Sequence, residues 1–208
     1  MNSYDAAIRA EGATGYDALD LYVYNMALAG ALLGPLHILE VVVRNSMHAA
    51  LAEFAGREDW WEDSRVPLDR WHLDQVRKAR DKVARTRHAT SAVSPNDVVA
   101  ATDFGFWTSL LQSRYDRPLW QDVLSEAFPH SRRQRDQLKR GLDTLRRLRN
   151  RVTHHEPIHT RASHSDFDQI VMFIGFVSRP VAEWVRDRSL VPSVVAARPG
   201  ESTPVRRF

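Results

Sequence analysis

One apolar stripe constrains the fold of this 208-residue chain more than any other feature. Five large apolar residues recur at spacings of four, three, three and four, which is the period of one helix face. They are Leu138, Leu142, Leu145, Leu148 and Val152. No stretch of useful length alternates between apolar and polar residues, as a half-buried strand would. The sequence therefore predicts an all-α fold, an irregular helical bundle.

Apolar spacing predicts further helices over residues 16–33, 36–54, 68–87 and 167–187. Gly34 and Pro35 are expected to break or kink the helical chain between the first two. Pro180 is expected to kink the last helix, which is apolar around most of its circumference and should be buried in the core or against a second subunit. The expected buried side of the first helix consists of Leu19, Tyr22, Met26, Ala29 and Leu33.

Helix starts and the domain limits follow from shorter signals. Ser94 and Ser131 each begin a capping pattern and predict a helix start. The aromatic cluster over residues 104–107 is typical of a core. Residues 1–187 are expected to form a single domain. Residues 188–208 hold three prolines and little periodicity, which predicts a flexible basic tail.

Composition narrows the class of protein. There is no cysteine, which excludes disulfides and thiolate metal sites and suits a reducing cytosol. The N-terminus lacks the pattern of a signal peptide, and the longest apolar run, residues 26–36, is too short to span a bilayer. A cytoplasmic protein without membrane contact is therefore expected. The net charge of +3 permits a polyanionic partner without requiring one.

Three polar side chains gather where the striped helix is expected to end. Arg149 and Asn150 are followed, after three residues, by His154, and Pro157 limits how far the helix continues. Asn150 and His154 are four residues apart and share a helix face. A histidine can transfer protons near neutral pH, and an arginine can hold phosphate oxygens and stabilise developing charge. Attack by the 2′-hydroxyl of RNA would need no metal or cofactor and would leave a 2′,3′-cyclic phosphate.

The same segment allows two other interpretations. Arginine and histidine are common in the last turn of any helix because they complement its dipole and exposed carbonyls. Residues 155–159 also spell H-E-x-x-H, a zinc-protease pattern that requires both histidines one turn apart on a helix. Pro157 at its centre makes that geometry unfavourable, and we expect no metal here. Local patterning alone favours a helix cap over catalysis.

A second polar group lies on the predicted helix over residues 36–54. It consists of Glu40, Arg44, Asn45 and His48, of which the first, second and fourth share one face. The group is either an ordinary ion pair on a helix surface or a supporting set that orients the arginine and histidine of the main motif.

Basic residues crowd one side of the helix over residues 68–87. Lys78, Lys82 and Arg85, together with Arg80 and Arg87, could follow an RNA backbone. A solvated helix face explains the same run.

Three stretches, in this order and spacing, resemble the Abi-like proteins. They are residues 21–45, with LYVYN and LHILEVVVRN; residues 98–107, with VVA and FGFW; and residues 148–158, LRNRVTHHEPI. The Abi-like proteins are a bacterial group tied to abortive infection against phage. They belong to the HEPN superfamily of helical nucleotide-binding and ribonuclease domains. The resemblance covers about residues 16 to 185.

The resemblance implies a helical bundle of the HEPN type, whose signature is an arginine, a polar residue and, after a short gap, a histidine. Arg149, Asn150 and His154 match that signature. Because the gap varies in the family, His155 is a possible alternative to His154. HEPN ribonucleases typically act as dimers with both signatures at the interface, which implies a homodimer with a composite active site.

The resemblance thus implies a metal-independent endoribonuclease of a phage-defence or toxin–antitoxin system, with RNA as substrate and with an antitoxin or regulatory protein as a further possible partner. His154 would be the general acid and base, Arg149 the phosphate ligand and Asn150 an orienting group. The alternative is a non-catalytic HEPN module that binds RNA or a protein partner. A third hypothesis is a structural helical protein whose arginine–histidine cluster is only a cap.

Overall fold

The structure is a computed structural model that describes residues 2–11, 16–86, 92–132 and 134–200. Within these residues the regular structure is entirely helical, which confirms the predicted all-α class. Two 3₁₀ turns span Trp60–Glu62 and Ser113–Tyr115, and a π-helix spans Asp116–Leu124. The α-helices are α1 (Asn2–Glu11), α2 (Ala18–Ala55), α3 (Arg70–Thr86), α4 (Pro95–Ala101), α5 (Phe104–Ser109), α6 (Arg135–Thr153), α7 (Ser163–Val177), α8 (Arg179–Arg188) and α9 (Val191–Ala196).

Helix α6 carries the stripe that predicted it. All five of its large apolar residues are buried, so this prediction is confirmed. The helix begins at Arg135, four residues after the predicted cap Ser131, and Arg133 lies outside the described residues. By contrast, the cap at Ser94 is confirmed, because its Oγ accepts from Asp97 N (3.3 Å) and the Asp97 carboxylate accepts from Ser94 N (3.0 Å).

Helix α2 is continuous, so of the two outcomes predicted at Gly34 and Pro35 the break is wrong, and the kink stays a prediction. Pro35 lies inside the 38-residue helix and is buried. A proline removes one backbone donor, and burial of the large residues on both sides, Leu32, Leu36 and Leu39, compensates for that loss.

The predicted buried side is wrong for the first half of α2, where Leu19, Tyr22, Met26 and Leu33 are exposed. There the helix instead buries a neighbouring stripe of Leu21, Leu28 and Leu32. Over the second half, apolar spacing predicts a stripe of Leu36, Leu39, Val43, Met47 and Leu51, and its burial confirms this prediction. In this first half, the exposed stripe and the buried stripe both have helical spacing. Only the packing of the remaining chain determines which of the two is buried.

By length and composition, α2 could also cross a membrane. An 18-residue window within it has a mean hydropathy of 1.9. One such helix is weak support for a membrane location because buried helices of soluble proteins meet the same criterion. The apolar run over residues 26–36 is by itself too short to span a bilayer, whereas the continuous helix α2 is long enough. The expected cytoplasmic location stays a prediction.

The contacts divide the chain into two compact units. The first unit comprises Met1–Leu39, Arg147–Gly175 and Pro180–Phe208. The second comprises Glu40–Arg146 and Phe176–Arg179. The single domain expected over residues 1–187 stays a prediction.

The C-terminal region is more structured than the sequence predicts. The helix expected over residues 167–187 is two helices, α7 and α8, separated at Ser178 rather than kinked within one. The flexible tail is wrong for residues 188–200, where α9 forms and Val191 is fully buried. Residues 201–208 of the predicted tail lie outside the described residues. Near the other end of the chain, Gly12 and Gly15 also lie outside them.

The second unit has an aromatic core. Phe104, Phe106 and Trp107 are buried, which confirms the core interpretation of this cluster. The rings of Phe106 and Trp107 both contact that of Trp60, with the Trp60 and Trp107 centroids 6.1 Å apart, and the ring of Phe106 also contacts that of His72. The next segment is a π-helix, in which Ser125 N donates to Trp120 O (3.0 Å) across five residues, where the sequence spacing predicts an α-helix.

Candidate functional site

The segment that carries the Arg149 motif ends α6 in a defined turn. His154 N donates to Asn150 O (2.9 Å), so the helical hydrogen bonding reaches His154. His155 then adopts the left-handed conformation, with φ of 57°. Glu156 N donates to Arg151 O (2.9 Å) and His155 N donates to Val152 O (3.3 Å). This pair of bonds is the Schellman motif, which satisfies the last carbonyls of a helix.

The motif side chains lie together on the first unit, at the end of α6. Arg149 and Asn150 are partly exposed, and Arg149 Nη1 donates to Asn150 Oδ1 at 3.5 Å. His154 lies one turn after Asn150 and its side chain is exposed. A guanidinium, a carboxamide and an imidazole thus share one accessible end of a helix. Such a set can bind a phosphate group and exchange a proton with it.

Arg151 fixes the turn beside the motif. Its Nη2 donates to Pro157 O (2.6 Å), and its Nε lies 3.3 Å from a carboxylate oxygen of Glu156. No sequence pattern separates Arg151 from its neighbours, because Arg146, Arg147, Arg149 and Arg151 follow one another at short intervals. Its role is structural, since it holds the chain after the helix against the last helical turn.

Asn25 of α2 anchors the same turn from a distance. Its side chain is 4% exposed, and its Oδ1 accepts from Ile158 N (2.7 Å) and His159 N (3.1 Å). The sequence does carry a signal for this residue, because Asn25 falls on the buried stripe of α2 between Leu21 and Leu28. A carboxamide on a buried stripe needs hydrogen-bond partners, although the stripe does not say which.

The H-E-x-x-H segment does not have the geometry of a zinc-protease motif. α6 ends at Thr153, so His155 and His159 are not one turn apart on a helix. His155 is exposed, whereas His159 is buried with its ring centroid 4.8 Å from that of Tyr4. In the described part of the chain, no cluster of three or more histidine and acidic residues could hold a metal ion.

The second polar group lies on the other unit. Arg44 Nε donates to its neighbour Asn45 Oδ1 (3.1 Å), and Glu40 lies one turn before Arg44 on α2. His48 Nδ1 accepts from the Trp60 indole (3.0 Å), so this imidazole supports the aromatic core. Burial lowers the pKa of His48. A supporting role of Glu40, Arg44 and Asn45 at the motif stays a prediction.

The basic residues of α3 form a solvated face. Lys78, Lys82 and Arg85 are exposed, whereas the opposite side of the helix is buried. The large aromatic residue Trp71 is 46% exposed, whereas its neighbour His72 is buried. Arg87 lies outside the described residues. RNA binding along this face stays a prediction.

Comparison of the chain with protein-family models, with curated proteins and with solved structures gives no match. The resemblance to the HEPN superfamily therefore stays a prediction from the three sequence stretches.

Proposed function

We propose that this chain is a metal-independent endoribonuclease of the HEPN type that acts in phage defence or as a toxin. The observation that carries the proposal is the accessible end of α6, where Arg149, Asn150 and the exposed His154 share one surface. The arrangement supplies a phosphate ligand and one proton-transfer group for cleavage by the 2′-hydroxyl, within a turn that Arg151 and Asn25 hold in place.

In the proposed reaction, neutral His154 takes the proton of the RNA 2′-hydroxyl as its oxygen attacks the adjacent phosphorus. The bond from phosphorus to the 5′-oxygen breaks, and a protonated histidine supplies the proton that this leaving group needs. Arg149 binds the phosphate oxygens and stabilises the charge that builds up on them. The products are a 2′,3′-cyclic phosphate and a 5′-hydroxyl.

A single histidine faces only one side of a phosphate, and in-line cleavage is best served by an acid and a base on opposite sides. A second copy of the chain would supply the missing group, and we include a homodimer in the proposal. The exposed apolar stripe of α2, formed by Leu19, Tyr22, Met26 and Leu33, supports this, because exposed apolar stripes of this kind mark interaction surfaces.

The test is RNA cleavage by the purified chain in EDTA, with the product ends analysed for cyclic phosphate. We expect His154→Ala to reduce cleavage by about 100-fold or more, the usual contribution of a general acid or base. His155→Ala is the matched control and should retain cleavage. Cleavage that persists in His154→Ala, or that the chelator abolishes, would contradict the mechanism. RNA binding without cleavage by the wild-type chain would favour the non-catalytic alternative.

A further inference from the structure

A second constellation of reactive groups lies entirely within the second unit. A cleft of about 540 Å³ is lined by Asp69, His72 and Ser109, among others. His72 Nδ1 lies 2.7 Å from Asp69 Oδ1, and His72 Nε2 lies 2.7 Å from Ser109 Oγ. Carboxylate, imidazole and hydroxyl are therefore joined in series by two short hydrogen bonds. This is the order of groups that activates a serine nucleophile.

The surroundings fix how the protons are arranged. The Asp69 carboxylate also accepts from Arg114 Nη1 (2.6 Å) and from the backbone N of His72 (3.0 Å), which favours its ionised form. Its hydrogen bond to His72 Nδ1 must then use the proton of that nitrogen. In a neutral imidazole this leaves a lone pair on Nε2, which faces the hydroxyl of Ser109.

Burial favours the neutral imidazole. The His72 side chain is 1% exposed and packs against the rings of Trp71, Phe106 and Tyr115. This burial lowers the pKa of His72, and it outweighs the opposing effect of the Asp69 carboxylate. At neutral pH His72 can therefore accept a proton from Ser109.

An ordinary structural network would contain some of the same bonds. Ser109 Oγ also lies 2.7 Å from Phe106 O, as is common for a serine near a helix end. The Ser109 hydroxyl has one hydrogen. It can therefore donate a full hydrogen bond to Phe106 O or to His72 Nε2, but not to both at once. When His72 is protonated, Nε2–H can donate to Ser109 while Ser109 donates to Phe106 O. The network thus accommodates both protonation states of the imidazole without moving a heavy atom, as a general base requires.

We propose that Asp69, His72 and Ser109 form a hydrolytic site for small carboxylic esters. Ser109 Oγ attacks the carbonyl carbon and its proton passes to His72 Nε2. As the bond from carbon to the alcohol oxygen breaks, His72 returns that proton to the leaving alcohol. Water then attacks the acyl–Ser109 ester with His72 as base, which releases a carboxylic acid and restores the hydroxyl.

The remaining lining of the cleft fits a small polar ester. Trp71 presents an exposed aromatic surface at the site, and Arg114, Lys139 and Arg146 bring positive charge to the same cleft. Lys139 and Arg146 are paired with Asp143 and Arg114 is paired with Asp69, so carboxylates compensate this charge, and Asp103 also lines the cleft. These cations are the groups available to stabilise the negative oxygen of the tetrahedral intermediate. The cleft volume lies within the usual range for small-molecule sites.

The direct test uses a fluorophosphonate probe, which forms a covalent bond to an activated serine. After incubation of the full chain, peptide mass spectrometry should find the probe on Ser109 of the wild-type protein. Ser109→Ala should remove that labelling, and hydrolysis of p-nitrophenyl acetate should fall by about 100-fold or more. Ser113→Ala removes an exposed serine four residues away and is the matched control, which should retain both signals.

Asp69 is a positioning residue that orients His72. A substitution can separate this role in catalysis from the structural role of Asp69. Asp69 caps the start of α3 through His72 N, and asparagine also serves well as a cap. Asp69→Asn keeps this cap but removes the ion pair with Arg114, which is partly exposed and contributes about 1 kcal/mol or less. The melting temperature should therefore fall only slightly, KM should stay nearly unchanged and kcat should fall by roughly 100-fold or more. A purely structural aspartate would leave kcat unchanged.

The outcomes separate this proposal from the ribonuclease proposal. His154→Ala removes the motif histidine of the first unit and should leave the labelling of Ser109 intact. If the probe does not label Ser109 in the wild-type chain, or if Ser109→Ala hydrolyses the ester at the wild-type rate, the proposal is wrong. Neither result would bear on RNA cleavage.

Discussion

The Asn25 carboxamide stabilises a turn that lies 133 residues later in the sequence. Its Oδ1 accepts from both Ile158 N and His159 N inside the first unit. Asn25→Ala would leave two buried donors without their acceptor, at a cost of about 1–3 kcal/mol each. We expect the free energy of unfolding to fall by roughly 2–6 kcal/mol in urea denaturation.

Asn45→Ala is the matched control for this prediction. Asn45 is an exposed carboxamide on the same helix, and its oxygen accepts from Arg44. Its removal should change the free energy of unfolding by less than about 0.5 kcal/mol. Equal losses in the two variants would mean that the bonds of Asn25 do not hold the turn.

His72 should make the stability of the second unit depend on pH. Burial lowers the pKa of this imidazole in the folded chain relative to the ordinary value of 6.5. Below about pH 6.5 the unfolded chain therefore binds more protons than the folded chain. The stability is fully present above that pH, and it is lost as the pH falls towards the lowered pKa.

The measurement is urea denaturation at several pH values between 5 and 8, for the wild-type chain and for His72→Gln. We expect the loss of stability on acidification to be shallower in the variant. Part of the slope should remain, because burial also lowers the pKa of His48. A variant curve parallel to that of the wild-type chain would contradict the prediction.

At the scale of single elements, the end of α6 needs a left-handed backbone conformation at His155, directly beside the motif residue His154. His155 has φ of 57°, a conformation that costs a residue with a Cβ about 1–2 kcal/mol. His155→Gly removes that cost but makes the unfolded chain more flexible. We expect the free energy of unfolding to rise by roughly 0.5–1 kcal/mol and RNA cleavage to persist.

Thr153→Gly provides the comparison, because Thr153 is in the helical conformation of the last turn of α6. Glycine there should lower the free energy of unfolding by about 0.5 kcal/mol. If His155→Gly abolishes cleavage while the protein stays folded, His155 rather than His154 is the catalytic histidine.

The two long helices show why sequence predicts some elements and not others. α6 has charged residues on every side but one, so its apolar stripe has only one interpretation, and the burial confirms it. α2 is apolar around much of its circumference, so two stripes in its first half fit the same period. Spacing alone favours the stripe that is exposed in the structure. Pro35 adds a local signal for a break, which the packing around it overrides.

The same distinction applies to the candidate sites. The proximity of Arg149, Asn150 and His154 follows from helical geometry, because they are near neighbours in sequence. The bonds of Asn25 join residues far apart in the chain, as does the bond between His72 and Ser109. No local pattern encodes the partner in these cases. The spacing of His72, Val76, Ala79 and Val83 does place His72 on the buried stripe of α3, and a buried imidazole needs partners.

At the scale of the whole molecule, the proposed homodimer can be tested through the exposed stripe of α2. If a second copy covers the stripe, a charged residue introduced there would be buried and would destabilise the dimer. If the stripe is exposed to solvent, the same substitution should have little effect. The double substitution Met26→Glu and Leu33→Glu should therefore convert a dimer into a monomer in light scattering coupled to size-exclusion chromatography. The control pair Arg77→Glu and Arg85→Glu also places charge on an exposed helix face, and it should leave the mass unchanged.

A mixing experiment then tests whether the active site is composite. His154→Ala chains should be inactive on RNA. If the site needs the histidine of both copies, co-refolding an excess of His154→Ala chains with wild-type chains creates mixed dimers that lack one of the two histidines, and cleavage per wild-type chain should fall. The stripe variant Met26→Glu, Leu33→Glu introduced into the His154→Ala chain should prevent this inhibition. Undiminished cleavage in a mixture that contains mixed dimers would show that each copy acts with its own histidine alone, and the composite site would be wrong.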